Sequence, residues 1–328
     1  MTMMQAWRLE ATQGIESLQF VSIPRPTRGA AQSLVRVEAA ALNFSDLLML
    51  RGQYQVKPPL PFSPGQEIAG IVVATAAGSR LKVGERIASK VECGGFAQYV
   101  CVSDKMAIPV PDSLSADAAA TLPVVWPTAW IALYERAVLQ PRESVLVHAA
   151  AGGIGLACLQ LARARGARPI ALVGSRAKFD SCRAAGAEEV VCYDDPWVDI
   201  VREHGGADVV VDSVGGDATE ASLRCMTRGA RLLLVGFSSG MMPQIPANRL
   251  LLKNTSALGV YWSHDWDLAQ VNRATAALLA LYEQGSISLQ ASRSYAFDRL
   301  PEALRDLASR GTVGKSVLVA DTEKMAND

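Results

Sequence analysis

Residues 144–156 read S-V-L-V-H-A-A-A-G-G-I-G-L, and this stretch decides the fold. Val145, Leu146 and Val147 form a short apolar run rich in β-formers. Small residues follow, and from 154 to 165 the apolar positions recur at helical spacing. The expected order is strand, tight turn, helix, with Gly152, Gly153 and Gly155 in the turn. Glycines there let a backbone approach a ligand closely, and a new helix aims free N–H groups and the positive end of its dipole at it. A nucleotide pyrophosphate suits that place. The spelling departs from the dinucleotide fingerprint G-x-G-x-x-G at its first glycine, where Ala150 stands.

Outward from the turn, strand and helix signals alternate. Residues 116–138 are alanine-rich and predict helix broken by Pro123 and Pro127. Strands are expected at 145–148, 169–173, 189–193, 208–212, 230–236 and 256–261. Helices are expected between them at 154–165, 176–185, 196–203, 218–226 and 247–252. Six apolar strands alternating with helices predict a doubly wound parallel sheet that binds its ligand at the carboxyl ends of the strands.

Residues 1–122 lack this rhythm. Short alternating runs at 19–22, 33–39, 70–74, 86–89 and 98–102, set between Pro and Gly clusters, predict a compact β-rich domain with one short helix at 43–50. After an amphipathic helix at 268–282, stopped by Gly285, the tail returns to strand (292–297), helix (300–309) and strand (316–319). Periodicity leaves open whether this tail closes the first domain or extends the second.

Composition narrows the function classes. The 328 residues, half of them hydrophobic, suffice for two cored domains. Lys+Arg and Asp+Glu balance at 32 each, so no basic excess points to nucleic acid or an anionic membrane surface. The six cysteines are scattered without a C-x-x-C, as in a reduced intracellular protein. The N-terminus lacks the apolar core of a signal peptide, and no apolar run approaches the ~18–20 residues of a membrane span. A cytoplasmic protein is expected.

The second strand of the parallel sheet sharpens the ligand. Sheets that bind NAD carry an Asp or Glu about 20 residues past the glycines, for the ribose 2′-hydroxyl. Here that strand ends in Gly174, Ser175 and Arg176, with Lys178 next and no carboxylate before Asp180. A hydroxyl with two cations suits a 2′-phosphate. Cations at a helix start oppose its dipole, which an anionic ligand would offset. NADP(H) is the expected cofactor.

With these pieces in place, the chain resembles the medium-chain dehydrogenase/reductase superfamily, in its zinc-free quinone oxidoreductase (zeta-crystallin-like) branch. The blocks that carry the resemblance are A-L-N-F-S-D-L-L-M-L-R-G-Q-Y (41–54), P-F-S-P-G-Q-E-I-A-G-I-V (61–72), L-P-V-V-W-P-T-A-W (122–130), H-A-A-A-G-G-I-G (148–155), V-D-S-V-G-G (211–216) and L-L-L-K-N-T-S-A-L-G-V-Y-W (250–262). The resemblance implies an α/β chain. A GroES-like β-rich catalytic domain (1–122 and 288–328) would receive an inserted Rossmann domain (123–287) with a doubly wound parallel six-stranded sheet. It also implies a homodimer joined through the last Rossmann strand.

Catalytic zinc needs about three Cys, His or carboxylate ligands and an open position. The zinc branch has a Cys near 43–45 and a His before the Glu of P-G-x-E. This sequence has Asn43-Phe44-Ser45 and Gln66, and its three histidines are widely spaced. No tightly bound zinc is expected, and the simplest reaction is hydride transfer from NADPH to a quinone or an α,β-unsaturated carbonyl.

By resemblance, Asn43 reaches the nicotinamide ribose or the substrate carbonyl, Thr128 contacts the phosphates, and Gly152, Gly153 and Ile154 cradle the pyrophosphate. Ser175 and Lys178 match the 2′-phosphate positions, with Arg176 an addition peculiar to this sequence. Tyr193 matches the adenosine end, Phe237 and Ser239 the middle of the cofactor, and Val260 and Trp262 the nicotinamide. Gly314 and Lys315 lie where the family's tail returns to the cofactor. Tyr54 either donates a proton, as a phenol of pKa ~10 is able to without ionising, or walls the slot. Asp46 and Arg51 read as a structural pair, Glu67 as a structural carboxylate and His148 as a hydrogen-bonded core residue. Trp126 and Trp130 either wall the pocket or pack, and nothing marks Cys93 as a thiolate. Two further functions stay open beside the leading one: a 2-enoyl thioester reductase, and a non-catalytic NADPH-binding protein.

Overall fold

A computed structural model describes residues 2–320. The chain divides into two compact units. One holds the described residues up to Val124 and those from Leu289 onward, and the other is Val125–Ser288.

The first unit opens with β1 (Met3–Leu9), paired antiparallel with β2 (Leu18–Pro24). Strands β3 (Gln32–Ala41), β4 (Glu67–Ala74), β5 (Arg86–Lys90), β6 (Tyr99–Ser103) and β7 (Ala107–Pro109) build its main sheet. Alternation explains β3, which buries Ser33, Val35, Val37 and Ala39 and turns the intervening residues outward. The core gathers Phe96, Leu42, Leu50, Ile68 and Ile87. The helix Phe44–Leu50 lies between β3 and β4 in sequence and buries Leu47, Met49 and Leu50.

The second unit is a single parallel sheet of β8 (Ser144–His148), β9 (Arg168–Val173), β10 (Glu189–Cys192), β11 (Ala207–Asp212), β12 (Met226–Leu234) and β13 (Ser256–Gly259). Its order, β10-β9-β8-β11-β12-β13, reverses between β8 and β11. That reversal opens a crevice beyond the strand ends, where doubly wound sheets bind ligands. Strand β8 is buried along its whole length, as a central strand covered on both faces must be.

The tail settles the question that periodicity left open. Strands β14 (Arg293–Ala296) and β15 (Ser316–Val319) run parallel to each other, and β15 adds antiparallel to β3, Val317 opposite Ala41 and Val319 opposite Ala39. Tyr295, Phe297, Leu300, Leu304 and Leu318 enter the first unit's core.

Other differences from the sequence reading have local causes. Pro127 breaks nothing. It is the third residue of the helix Val125–Trp130, in the first turn where a missing N–H costs no helical bond, and that helix runs on into a π-helical segment, Ile131–Arg136. The helix expected at 176–185 begins as a 3₁₀ turn, Arg176–Lys178, before Phe179–Ala184. Strands β1 and β7 escaped notice because one lacks a preceding turn signal and the other spans three residues.

Trp7 ties the two ends of the chain together. Its indole Nε1 donates to the Phe297 carbonyl at 2.8 Å, and its ring lies 5.1 Å from that of Phe20. Trp7→Phe removes the donor and leaves a buried carbonyl unsatisfied, so it is expected to destabilise the protein by about 1–2 kcal/mol. A lowered urea midpoint checks this.

Candidate functional site

In the second unit the chain leaves β8 through a left-handed residue, Ala149 (φ 46°), before the helix Gly153–Ala164 begins behind Gly152. Gly155 is obligatory, because a Cβ there would lie 2.4 Å from the Ala150 carbonyl oxygen. The helix start therefore presses onto the turn, backbone against backbone.

The turn is braced by a hydrogen-bonded chain. Ser222 Oγ donates to the Ala218 carbonyl (2.8 Å), so it accepts from His148 Nε2 (2.8 Å). His148 Nδ1 must then accept, and the Tyr193 hydroxyl donates to it at 2.8 Å. The Tyr193 oxygen in turn accepts from the Ala149 N–H. This fixes the tautomer of His148. Burial pushes its pKa down to about 4, against the opposing pull of Asp212. Asp212, at the end of β11, accepts from the Val214 (2.8 Å) and Gly215 (2.9 Å) N–H groups and from the Thr219 hydroxyl.

The loops after β11 and β12 are joined by bonds from Ser238 N to the Ser213 carbonyl and from Ser239 N to the Val214 carbonyl, both 3.0 Å. A side chain on Gly215 would strike the Met241 carbonyl at 2.6 Å. Phe237 and Ser239 therefore sit together over the 213–216 turn.

Ser175, Arg176 and Lys178 share the 3₁₀ turn directly after β9, with Ser175 Oγ accepting from the Ala177 N–H at 3.3 Å. Arg176 is exposed and ion-paired to Asp195 at 2.6 Å, a partner that sequence reasoning missed. Asp195 is itself fixed by the Cys192 N–H at 3.0 Å. Partial burial moves the Lys178 pKa below that of a free lysine. Elsewhere in this unit, the Trp262 indole donates to Thr128 Oγ1 at 2.9 Å, which brings those two predicted residues together; Val260 is buried. Trp126 is buried, and Trp130 packs edge-on against Tyr134.

In the first unit, Asn43, Glu67 and Lys315 meet in one buried cluster. Lys315 Nζ donates to the Leu42 carbonyl (2.7 Å), Asn43 Oδ1 (2.8 Å) and Glu67 Oε2 (2.7 Å). Asn43 Nδ2 donates to Glu67 Oε2 (3.0 Å), and Glu67 Oε1 accepts from the Val124 N–H (2.8 Å). Gly314 precedes Lys315 in a left-handed conformation (φ 59°).

The expected Asp46–Arg51 pair does not form among the described residues. Arg51 is exposed, whereas Asp46 is fully buried and spends Oδ2 on the Asn43 N–H at 2.7 Å, starting the helix Phe44–Leu50. Burial pushes the Asp46 pKa up to about 7, and its Oδ1 has no hydrogen-bond partner. Tyr54 packs its ring against the first unit's core and stays partly exposed. The Cys93 thiol is pushed up by burial and by Glu92, which suits an inert residue.

The donors present do not fit zinc. Ser45 Oγ donates to Gln66 Oε1, so the position of the expected His ligand is already bonded to one of the residues 43–45 where the Cys ligand would lie. No cluster of three His, Cys, Asp or Glu suited to a metal occurs among the described residues.

His148 generates a pH dependence. The open chain protonates this imidazole below pH ~6.5 and the folded protein only near 4, so from 6.5 downward the unfolded state binds the extra proton and stability falls with falling pH. Across the window this amounts to about 3 kcal/mol. His148→Gln is expected to flatten the slope of unfolding free energy across that window, measured by denaturant titration.

Two sequence profiles match the chain: the alcohol dehydrogenase GroES-like domain over residues 29–112 and the zinc-binding dehydrogenase over residues 153–280. Among curated relatives, Mus musculus quinone oxidoreductase-like protein 2 is 36% identical over 303 residues, covering 90% of this chain and 86% of the relative. The Homo sapiens synaptic vesicle membrane protein VAT-1 homolog is 31% identical, covering 95% and 85%. Of solved structures, the Escherichia coli quinone oxidoreductase complexed with NADPH superposes with a TM-score of 0.88 at 28% identity, over 96% of this chain and 99% of that one. The Thermus thermophilus quinone oxidoreductase, solved alone and with NADPH, gives 0.84 at 34% identity, over 96% and 100%. The strand order, the glycine turn and these matches agree: the chain belongs to the medium-chain dehydrogenase/reductase superfamily, in its zeta-crystallin-like quinone oxidoreductase branch.

Proposed function

We propose that this chain is an NADPH-dependent reductase that delivers hydride to a quinone or a conjugated carbonyl without zinc. The observation that carries the cofactor is the turn after β9, which sets a hydroxyl and two cations, one of them paired to Asp195, where the strand of an NAD site ends in a carboxylate. The rest of the second unit fits a dinucleotide. Gly155 leaves backbone where a side chain would stand, and at the N-terminus of the twelve-residue helix Gly153–Ala164 the Gly153 and Ile154 N–H groups are left for a pyrophosphate, while Gly152, whose N–H is bonded to the Ala149 carbonyl at 2.9 Å, contributes only a close backbone approach. Thr128, Phe237, Ser239, Val260 and Trp262 are the further cofactor contacts in this reading. When bound, NADPH supplies the hydride.

The protein's own part is orientation and proton supply. Reduction of an enone places hydride on the β-carbon and negative charge on the carbonyl oxygen, and a neutral donor there stabilises that oxygen and then protonates it. Tyr54 is our candidate, because its hydroxyl has no hydrogen-bond partner among the described residues and its ring is anchored in the core. Asn43 is our candidate for holding the acceptor or the nicotinamide ribose. Tyr193 enters this reading differently from its place in the resemblance: with its hydroxyl committed to His148 and Ala149, only its ring remains to contact adenosine.

The partner of the last Rossmann strand is, in our reading, a second copy of this chain. Strand β13 ends the sheet, and Leu251 and Leu252, in the helix Ala247–Lys253 that precedes it in sequence, are 75% exposed. An apolar edge of this kind favours strand pairing. A monomeric mass by light scattering would argue against it.

One steady-state panel of NADPH and NADH against quinones, enones and enoyl thioesters tests the whole reading, and absence of turnover on every acceptor would refute it. Within the panel, Lys178→Ala and Arg176→Ala are each expected to raise KM for NADPH about tenfold with little effect on NADH. Tyr54→Phe is expected to slow enone reduction about tenfold and quinone reduction less. Equal small losses on both acceptors would remove Tyr54 as the donor.

A further inference from the structure

The cluster around Lys315 has a directional consequence. The ammonium has three protons and three acceptors, one of them Asn43 Oδ1, while Glu67 Oε2 accepts from the other end of the same amide. Lys315 is 6% exposed, Asn43 8% and Glu67 fully buried, so water does not compete. Turning the Asn43 amide over would set Nδ2 against the ammonium and Oδ1 against the carboxylate, two repulsions in place of two bonds. The amide therefore has one orientation, with Oδ1 also accepting from the Asp46 N–H at the helix start and one Nδ2 proton left over.

We propose that Lys315, on the returning tail, is a positioning residue for the reaction: with Glu67 it fixes which way the Asn43 amide faces its ligand. Sequence separations of 248 and 272 residues make this a tertiary device that ties the tail and β4 to the start of the 43–54 loop. The inference rests on the reading that Asn43 touches the acceptor or the nicotinamide ribose. Misdirecting such a group by one amide flip removes a donor where a donor is needed, which costs rate while leaving the fold intact.

The test separates direction from stability. Lys315→Met alone strands a buried carboxylate and is expected to unfold readily. In the double variant Lys315→Met/Glu67→Gln both charges go. The new amide at position 67 still accepts from the Val124 N–H through its oxygen, but it presents an N–H where Glu67 presented an acceptor, so Asn43 turns over. The expected result is a melting temperature near wild type, kcat down about tenfold or more, and no further loss when Asn43→Ala is added. A stable double variant with wild-type kcat overturns the proposal. If Asn43→Ala alone leaves kcat and KM unchanged, the role of Asn43 fails first, and the proposal falls with it. Should the double variant not fold, the wild type still decides: in protein labelled with ¹⁵N-asparagine, one Asn43 side-chain proton must exchange far more slowly than those of surface asparagines. Equal exchange overturns the proposal.

Discussion

A methyl group on residue 155 would stand 2.4 Å from the carbonyl oxygen of Ala150, and much of the second unit follows from its absence. With the helix Gly153–Ala164 pressed onto the end of β8, the turn between them has room only for alanine and glycine, and it ties up its own N–H groups at Ala149, Ala150 and Gly152 so that the free donors are those of the helix start. Strand β8 can hold that turn still because it is buried throughout, between β9 and β11. The order of the sheet then places the turn where the strands reverse direction of growth, so the packing constraint and the ligand crevice coincide. Ala149 accepts a left-handed conformation that alanine disfavours, and the Tyr193 hydroxyl takes its N–H in compensation.

The two units neutralise buried polarity by opposite means. Under the glycine turn the solution is an uncharged chain: Tyr193 to His148 to Ser222 to the Ala218 carbonyl, each donor meeting one acceptor, with the imidazole kept neutral by burial. In the first unit the solution is ionic, an ammonium and a carboxylate held together by shared hydrogen bonds. A neutral chain tolerates loss of one member at the cost of a hydrogen bond, whereas an ionic cluster tolerates only removal of both charges together. Asp46 sits beside the ionic cluster with one oxygen unpartnered, and burial and the nearby Glu67 hold its proton on more firmly than in water, against the pull of the Asn43 N–H and Lys315.

Local signals made the second unit legible. Hydrophobic runs of strand length, glycines at turns and apolar helical spacing are short-range features, and β8 to β13 followed them closely. The 3₁₀ turn carrying Ser175, Arg176 and Lys178 was legible for the same reason, since the missing carboxylate is a local fact. Illegible were the relations across long separations. Nothing near Lys315 announces Glu67, nothing near Arg176 announces Asp195, and Asp46 and Arg51 were coupled by proximity in sequence when burial of one and exposure of the other keeps them apart. Asp212 did have a signal: an acidic residue ending a strand before V-G-G is placed to accept the turn's own N–H groups, as it does.

Ser45 and Gln66 show why a zinc site is not restored in this chain simply by adding ligands. The two side chains already satisfy one another across 21 residues, and Glu67, next to Gln66, is bound to a cation that came from the other end of the chain. A metal placed there would have to displace a hydrogen bond and then share its surroundings with the Lys315 ammonium, whose charge repels it. Substituting a cysteine within residues 43–45 and a histidine at position 66 would leave that cation in place, so recovering a site requires Lys315 to change as well. The donor set and the internal lysine are thus two parts of one solution, a framework of hydrogen-bonded side chains whose charges already cancel.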